Sequence, residues 1–288
     1  MQHSLISDRL YVSINSLGAE INSIKNKNGL EYMWQAKKDV WPRHAPVLFP
    51  IVGKLKENTF LFNRSAYELG QHGFARDRAF KMLSGTDSSC IFELRSDAES
   101  LSHYPFDFIF QIRYTLKHNA LITHYKVINS SADLLLFSVG AHPGFKCPLL
   151  SNEAFEDYYL EFESSHVQIT ELNGGLRKES KKTLTLPNKT LSLSKDLFEK
   201  DALVFENSQI HKISLCSAKS SHKISMECKD WPYFGIWSKK ECDEFICLEP
   251  WYGIADRETS DQDFQKKEGT ISLASGKEFN CSFSVSFS

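Results

Sequence analysis

Phe106-Asp107-Phe108-Ile109-Phe110-Gln111-Ile112-Arg113-Tyr114-Thr115-Leu116 decides the fold class. Its even positions read Phe, Phe, Phe, Ile, Tyr, Leu, and most odd ones read Asp, Gln, Arg, Thr. Successive side chains of a strand point to opposite faces, so this segment buries one face and wets the other. The same period of two returns at the C-terminus, where serines separate Cys281, Phe283, Val285 and Phe287. It also marks Leu10/Val12/Ile14 and Ile224/Met226/Cys228, and less cleanly Leu121–Ile128. Shorter pairs, Leu184/Leu186 and Leu191/Leu193, flank Pro187-Asn188, which reads as a turn.

Helical periodicity is scarce. Short helices are expected near Asp97–His103, Ser151–Asp157 and Ser194–Lys200, each opened by a capping residue. Many antiparallel strands with a few short helices predict an all-β protein, a large antiparallel sandwich. No linker, low-complexity run or fixed-period repeat interrupts residues 1–288, so one domain is expected.

Composition excludes several classes. Apolar residues make up 41 %, enough for a buried core. Thirty-four Lys and Arg against 36 Asp and Glu leave a net charge of −2, no electrostatic footprint for nucleic acid. The longest apolar runs, Ala45–Gly53 and Leu134–Ala141, are too short to span a bilayer, so no membrane role is expected. Met1–Leu5 lacks the basic start and apolar stretch of a signal peptide. The seven cysteines, at 90, 147, 216, 228, 242, 247 and 281, are odd in number and show no metal-ligand spacing. Free thiols in a reducing, cytoplasmic setting are expected, with no metal.

Four segments break the alternation and gather polar, aromatic and glycine residues. Trp41–Gly53 carries Arg43 and His44 at the edge of a proline-punctuated apolar stretch. In Gln71–Asp77, Gly73 permits close backbone approach beside His72, Phe74 and Arg76; alone, Arg76-Asp77 reads as a surface turn. Val139–Phe145 places His142 between Gly140-Ala141 and Pro143-Gly144 at the end of a buried strand. Taken singly, that histidine is as readily a core residue satisfied by a carbonyl. Finally, Phe245–Gly253 sets Glu249 after four apolar residues, where desolvation would raise its pKa and suit it to proton transfer.

Together these segments resemble the aldose 1-epimerase (galactose mutarotase-like) superfamily, in its LacX-like bacterial branch. The resemblance is carried by Arg43–Pro50, Gln71–Asp77, Gly140–Phe145 and Leu248–Asp256, with weaker matches at Leu17–Ile21 and Gly29–Trp34. It implies a β-supersandwich with a sugar site on a concave sheet face and no cofactor. Residue by residue, it implies Glu249 as general base, His142 as general acid, His72 as a second histidine bonded to sugar, and Arg43 and Arg76 at the pocket. It also implies an aspartate that binds sugar hydroxyls, on a segment between the acid and the base; Asp230 is the candidate. Related hexose-6-phosphate epimerases anchor phosphate through arginines resembling Arg43 and Arg76, so the expected ligand is a sugar or a sugar phosphate.

The implied chemistry suits these residue types. A pyranose opens when its C1 hydroxyl loses a proton and its ring oxygen gains one; rotation and reclosure deliver the other anomer. One base and one acid near a single carbon suffice. Of the aromatic residues Trp41, Phe74, Trp237 and Trp251, one or two are expected to touch the sugar ring, Trp237 among them. Two other functions compete. A glycoside hydrolase needs two carboxylates across the scissile bond, and only Glu249 stands in a strong motif. A non-catalytic sugar-binding protein would use the same fold without needing the Glu249 and His142 pair.

Overall fold

The computed structural model describes residues 1–288. The deciding segment forms strand Phe108–Lys117, with Phe108, Phe110, Ile112, Tyr114 and Leu116 buried and the intervening side chains partly or fully exposed. Phe106, one step before the strand, is buried as well. Strands Leu10–Asn15, Ala120–Asn129, Lys223–Glu227 and Glu278–Phe287 follow the other alternating segments.

Two large antiparallel sheets carry the architecture. The first has nine strands, with Phe108–Lys117, Ala120–Asn129 and Glu278–Phe287 adjacent near its middle. The second has eight. Along it lie, in order, Leu176–Thr185, His166–Asn173, Leu203–Glu206, Tyr233–Trp237, Phe245–Tyr252, Val139–Ala141 and Val47–Leu48, with Gly144–Lys146 also paired to Phe245–Tyr252. Side chains of both sheets enter one cluster of 67 buried residues. Ring contacts such as Phe49–Phe110, at 4.7 Å between centroids, and Phe162–Phe205, at 6.2 Å, cross between the layers. Burying one such ring contributes about 1.5–3 kcal/mol. A third sheet of three strands, Gln2–Ile6, Leu10–Asn15 and Ile21–Asn26, adds Leu5, Leu10, Val12 and Ile14 to that core.

Of the three helices expected, one is an α-helix. Ala98–His103 is opened by Asp97, whose side chain accepts from Ser100 N at 2.8 Å while Ser100 Oγ accepts from Asp97 N at 2.8 Å. The other two segments make only short 3₁₀ turns, Phe155–Asp157 and Lys195–Phe198. Ser194 makes no side-chain cap, and the turn at Phe155 is opened by Ala154 rather than Ser151. Without a reciprocal cap, neither segment recovers the cost of nucleating a helix.

Two apolar runs behave differently from a simple strand. Leu134 is exposed, and the run behind it splits at Ser138: Leu135–Phe137 pairs with Ile271–Leu273, whereas Val139–Ala141 joins the eight-stranded sheet. The turn at Pro187–Lys189 also links two sheets rather than closing a hairpin, since Leu176–Thr185 and Thr190–Ser192 belong to different ones. No helix is long and apolar enough to cross a membrane.

Candidate active site

Strand Phe245–Tyr252 is buried on both faces along nearly its whole length. Its alternation therefore does not separate core from water; it separates core from site. Ile246 and Leu248 enter the main core, while Cys247, Glu249 and Trp251 point the other way, into small clusters and a cavity. Gly235 lies opposite Glu249 on the neighbouring strand, and Gly140 lies opposite Trp251. A Cβ at Gly235 would come within 2.3 Å of the Trp251 ring, and one at Gly140 within 2.8 Å. These two glycines let the indole lie flat across three strands and make the cavity floor.

His142 follows Val139–Ala141 and is brought back over the same strand by Gly144–Lys146. Its Nε2 lies 3.2 Å from Glu249 Oε2. His142 is 8 % exposed and Glu249 only 1 %. The two atoms do not meet in hydrogen-bond geometry: Glu249 Oε2 and His142 Nδ1 are both buried without a partner, as is Trp251 Nε1. Unpartnered buried polar atoms are costly and rare in a folded protein, and here three of them converge on one cavity.

Burial governs the protonation of the pair. It pushes the Glu249 carboxyl well above the usual carboxylate range, against a smaller opposing pull from the nearby Trp251 indole N–H, and Asp201 adds repulsion. Burial, helped by the Arg76 and Arg43 charges and opposed by a backbone hydrogen bond, lowers the His142 imidazole to about 3. A dry site disfavours separate charges, so the pair keeps one proton as carboxylic acid plus neutral imidazole. Moving that proton from Oε2 to Nε2 leaves the net charge unchanged.

Around the pair the cavity encloses about 400 Å³. Trp41 packs on the His142 ring at 5.0 Å between centroids, and Trp237 meets it edge-on at 5.6 Å. His72 stands 5.5 Å from His142, ring to ring, and its pKa is pushed down by burial and by its charged neighbours. His72 Nδ1 accepts the Gly53 N–H at 3.1 Å, so the neutral ring carries its proton on Nε2; the Gln71 amide nitrogen 3.3 Å away is itself a donor and does not accept it. The backbone there is tightly folded. Gly73 has φ +70°, and a Cβ would meet Phe49 O at 2.4 Å, which only glycine tolerates.

Arg76 lines the cavity, donates Nη2 to Gln71 O at 2.6 Å, and leaves a buried Nε without a hydrogen-bond partner. Burial and the neighbouring Arg43 lower its pKa to about 10, so it stays charged at neutral pH. Arg43 itself is not part of the lining. It donates to both Asp77 carboxylate oxygens, at 2.9 and 3.3 Å, and acts on the cavity only through its field. Glu20, from the Leu17–Ile21 stretch, fixes this loop by accepting the backbone N–H groups of His44 and Ala45 at 2.9 Å each.

Trp41, Trp237 and Trp251 all line the cavity, whereas Phe74 packs into the core against Phe49, Tyr104 and Phe108. Asp230 is not brought to the cavity. It sits exposed in a turn, where its backbone carbonyl accepts the Tyr252 hydroxyl at 2.9 Å. The aspartate that does line the cavity is Asp201, which lies between His142 and Glu249 in the chain. Its backbone is held at φ +92°, unusual for a residue with a side chain, and its Oδ1 accepts the Ala202 N–H at 2.7 Å. Lys200-Asp201-Ala202 carries no motif, so only its chain position hinted at it.

Arg177 was equally invisible: it stands in a Lys-rich exposed strand, yet is 1 % exposed and reaches the cavity. It donates Nε to Ala255 O and Nη2 to Glu268 Oε2, each at 2.8 Å, with Glu206 3.5 Å from Nη1. The register shift between Thr170 and Leu172 on the paired strand accompanies the inward turn of this arginine.

A sequence model of the aldose 1-epimerase family matches residues 1–285. The chain belongs to that family. Among curated relatives of this epimerase-family chain is the chromosomal LacX protein of Lactococcus lactis subsp. lactis, 34 % identical over 265 residues, which cover 88 % of this chain and 89 % of LacX. Among solved structures, the galactose mutarotase related enzyme from Lactobacillus acidophilus superposes with a TM-score of 0.95 at 38 % identity, covering 100 % of this chain and 97 % of that one. A galactose mutarotase-like protein from Lactobacillus casei gives 0.94 at 30 % identity, with all of both chains covered. The epimerase-family chain therefore has the galactose mutarotase-like fold that its motifs implied.

Proposed function

We propose that this chain is a mutarotase, interconverting the α and β anomers of a hexose through ring opening. Once the pair's proton has passed from Glu249 Oε2 to His142 Nε2, Glu249 removes the proton of the C1 hydroxyl, and His142 supplies one to the ring oxygen. On reclosure the transfers run backwards, so the two groups exchange roles each turnover. The single observation that carries this reading is the 3.2 Å approach of His142 Nε2 to Glu249 Oε2 on the floor of an open cavity. C1-linked hydroxyl and ring oxygens share one carbon, so an acid and base this close can serve both.

His72 Nε2–H and Asp201 are assigned to sugar hydroxyls, and Trp41, Trp237 and Trp251 to the apolar face of the ring. Arg76, whose buried Nε makes no hydrogen bond and meets only Asp77 Oδ2 at 3.7 Å, favours a second form of the substrate, the hexose 6-phosphate, with Arg43 adding only its field. Polarimetry on freshly dissolved α-glucose, α-galactose and their 6-phosphates tests both forms. Equilibration no faster than the spontaneous rate for all four would remove the mutarotase reading for common hexoses. Equal affinity for free and phosphorylated sugar would remove the phosphate form alone.

A further inference from the structure

Cys247 has no role in the proton transfers just described, yet it lies on the same strand face as Glu249, two residues away, and is fully buried. Gly144, just after His142, is its register partner on the adjoining strand. Cys247 Sγ, a ring nitrogen of His142 and a carboxylate oxygen of Glu249 all lie within 4.8 Å of one another. Glu249 Oε2, 1 % exposed at the residue level, has no hydrogen-bond partner, and neither does His142 Nδ1. We propose that Cys247, His142 and Glu249 form a binding site for one soft divalent cation of the zinc or cadmium class, whose occupancy blocks the acid/base pair.

Three properties support the assignment. A sulfur, a nitrogen and an oxygen ligand suit zinc or cadmium, whereas magnesium and calcium prefer oxygen alone. Thiolate, carboxylate and neutral imidazole together balance a divalent charge, so the filled site adds no net charge to a dry floor. Tetrahedral bonds to zinc hold ligand atoms roughly 3.3–3.8 Å apart, so closing these three side chains by about 1 Å suffices. The fourth position then faces the cavity, the route by which the ion enters. Trp41 and Trp237, packed on His142 and in one cluster with Cys247, wall the site on the other side.

The binding claim stands apart from the mutarotase reading; only the blocking claim rests on it. The test titrates cadmium chloride into the freshly reduced full chain and follows the ultraviolet thiolate-to-cadmium absorbance, with a parallel zinc titration by calorimetry. Wild type, Cys247→Ser and Cys247→Ala are compared. Wild type is expected to bind one equivalent with the absorbance band. Both variants should lose the band and bind at least about tenfold more weakly, with magnesium silent throughout. The variants should also turn over sugar at the wild-type rate and resist zinc. Equal band and affinity in all three proteins would overturn the site. Should neither variant fold, anomalous scattering from cadmium-soaked wild-type crystals decides: a peak between the three side chains supports the site, and its absence there overturns it. A chain that binds cadmium here but equilibrates no sugar keeps the site and loses the proposed function.

Discussion

Replacing Glu249 by glutamine keeps the shape of the side chain and removes its titration, which separates stability from activity in one variant. In the unfolded chain a glutamate titrates near about 4.3 and a histidine near about 6.5. Burial raises Glu249 well above its ordinary value and lowers His142 to about 3. The raised carboxyl contributes stability that is full below about pH 4.3 and is lost as pH rises, at about 1.4 kcal/mol per unit. The lowered imidazole contributes stability that is full above about pH 6.5 and is lost as pH falls, at the same rate. Between those values the two slopes cancel in the wild type, because the folded pair keeps one proton while the unfolded pair also holds one. Above about pH 6.5 only the carboxyl slope remains, and wild-type stability falls. Glu249→Gln retains only the histidine slope, so its stability rises to about pH 6.5 and then stays level. Its advantage over wild type, followed from about pH 5 to 8, should therefore grow by about 1.4 kcal/mol for each unit over which the wild-type carboxyl stays protonated. Urea unfolding followed by the fluorescence of the five tryptophans measures it directly. Turnover by polarimetry should meanwhile drop about a hundred- to ten-thousand-fold. Parallel stability curves across that range would mean that Glu249 titrates normally, and the dry-floor reasoning would be wrong whatever the activity.

Other perturbations probe the same architecture. His142→Gln should lose turnover by a comparable factor and, keeping only the carboxyl slope, should lose stability by about 1.4 kcal/mol per unit as pH rises from about 4.3 to 6.5, where the wild type stays level, checked by the same urea titrations. Gly235→Ala drives a methyl to within 2.3 Å of the Trp251 ring, so the indole must shift into the cavity. A loss of about 1–3 kcal/mol with a raised KM is expected; unchanged unfolding would show that Trp251 moves freely. Arg177→Met removes one partner each from Glu206, which keeps Thr170 and Lys181, and from Glu268, which keeps Arg257, and leaves Ala255 O without its donor; it should cost about 1–3 kcal/mol, read as a lower urea midpoint with unchanged m. Arg76→Ala should raise KM for hexose 6-phosphates at least about tenfold while leaving free hexoses within about twofold, measured by polarimetry on both.

The architecture was legible wherever one strand face meets core and the other meets water. Phe108–Lys117 and Glu278–Phe287 announce themselves because serines, Gln111, Arg113 and Thr115 mark the wet side. Helix length was not legible, since a capping residue is visible in sequence but its returned hydrogen bond is not: Ser100 returns one to Asp97, and nothing returns one to Ser194. At the site, the glycine and proline motifs pointed to Glu249, His142, His72 and Arg76, and these line one cavity together with Trp237, which was expected there as a sugar-facing aromatic. The motif carrying Arg43 led to a residue one layer back, paired with Asp77.

By itself, then, the sequence determined the strand-rich fold and singled out Glu249 and His142, the pair proposed for proton transfer, because alternation and rare residue clusters are local properties of the chain. Folding decided what depends on distant segments meeting. Asp201 rather than Asp230 reaches the cavity because a strained turn beside strand Leu203–Glu206 aims it there. Arg177 is buried although its own strand looks solvated, because Ala255, Glu206 and Glu268 arrive from elsewhere to hold it. Cys247 meets His142 only because Gly144 pairs across from it. Charge and hydrogen-bond partners at such positions are set by which strands lie side by side, and no short stretch of residues encodes that.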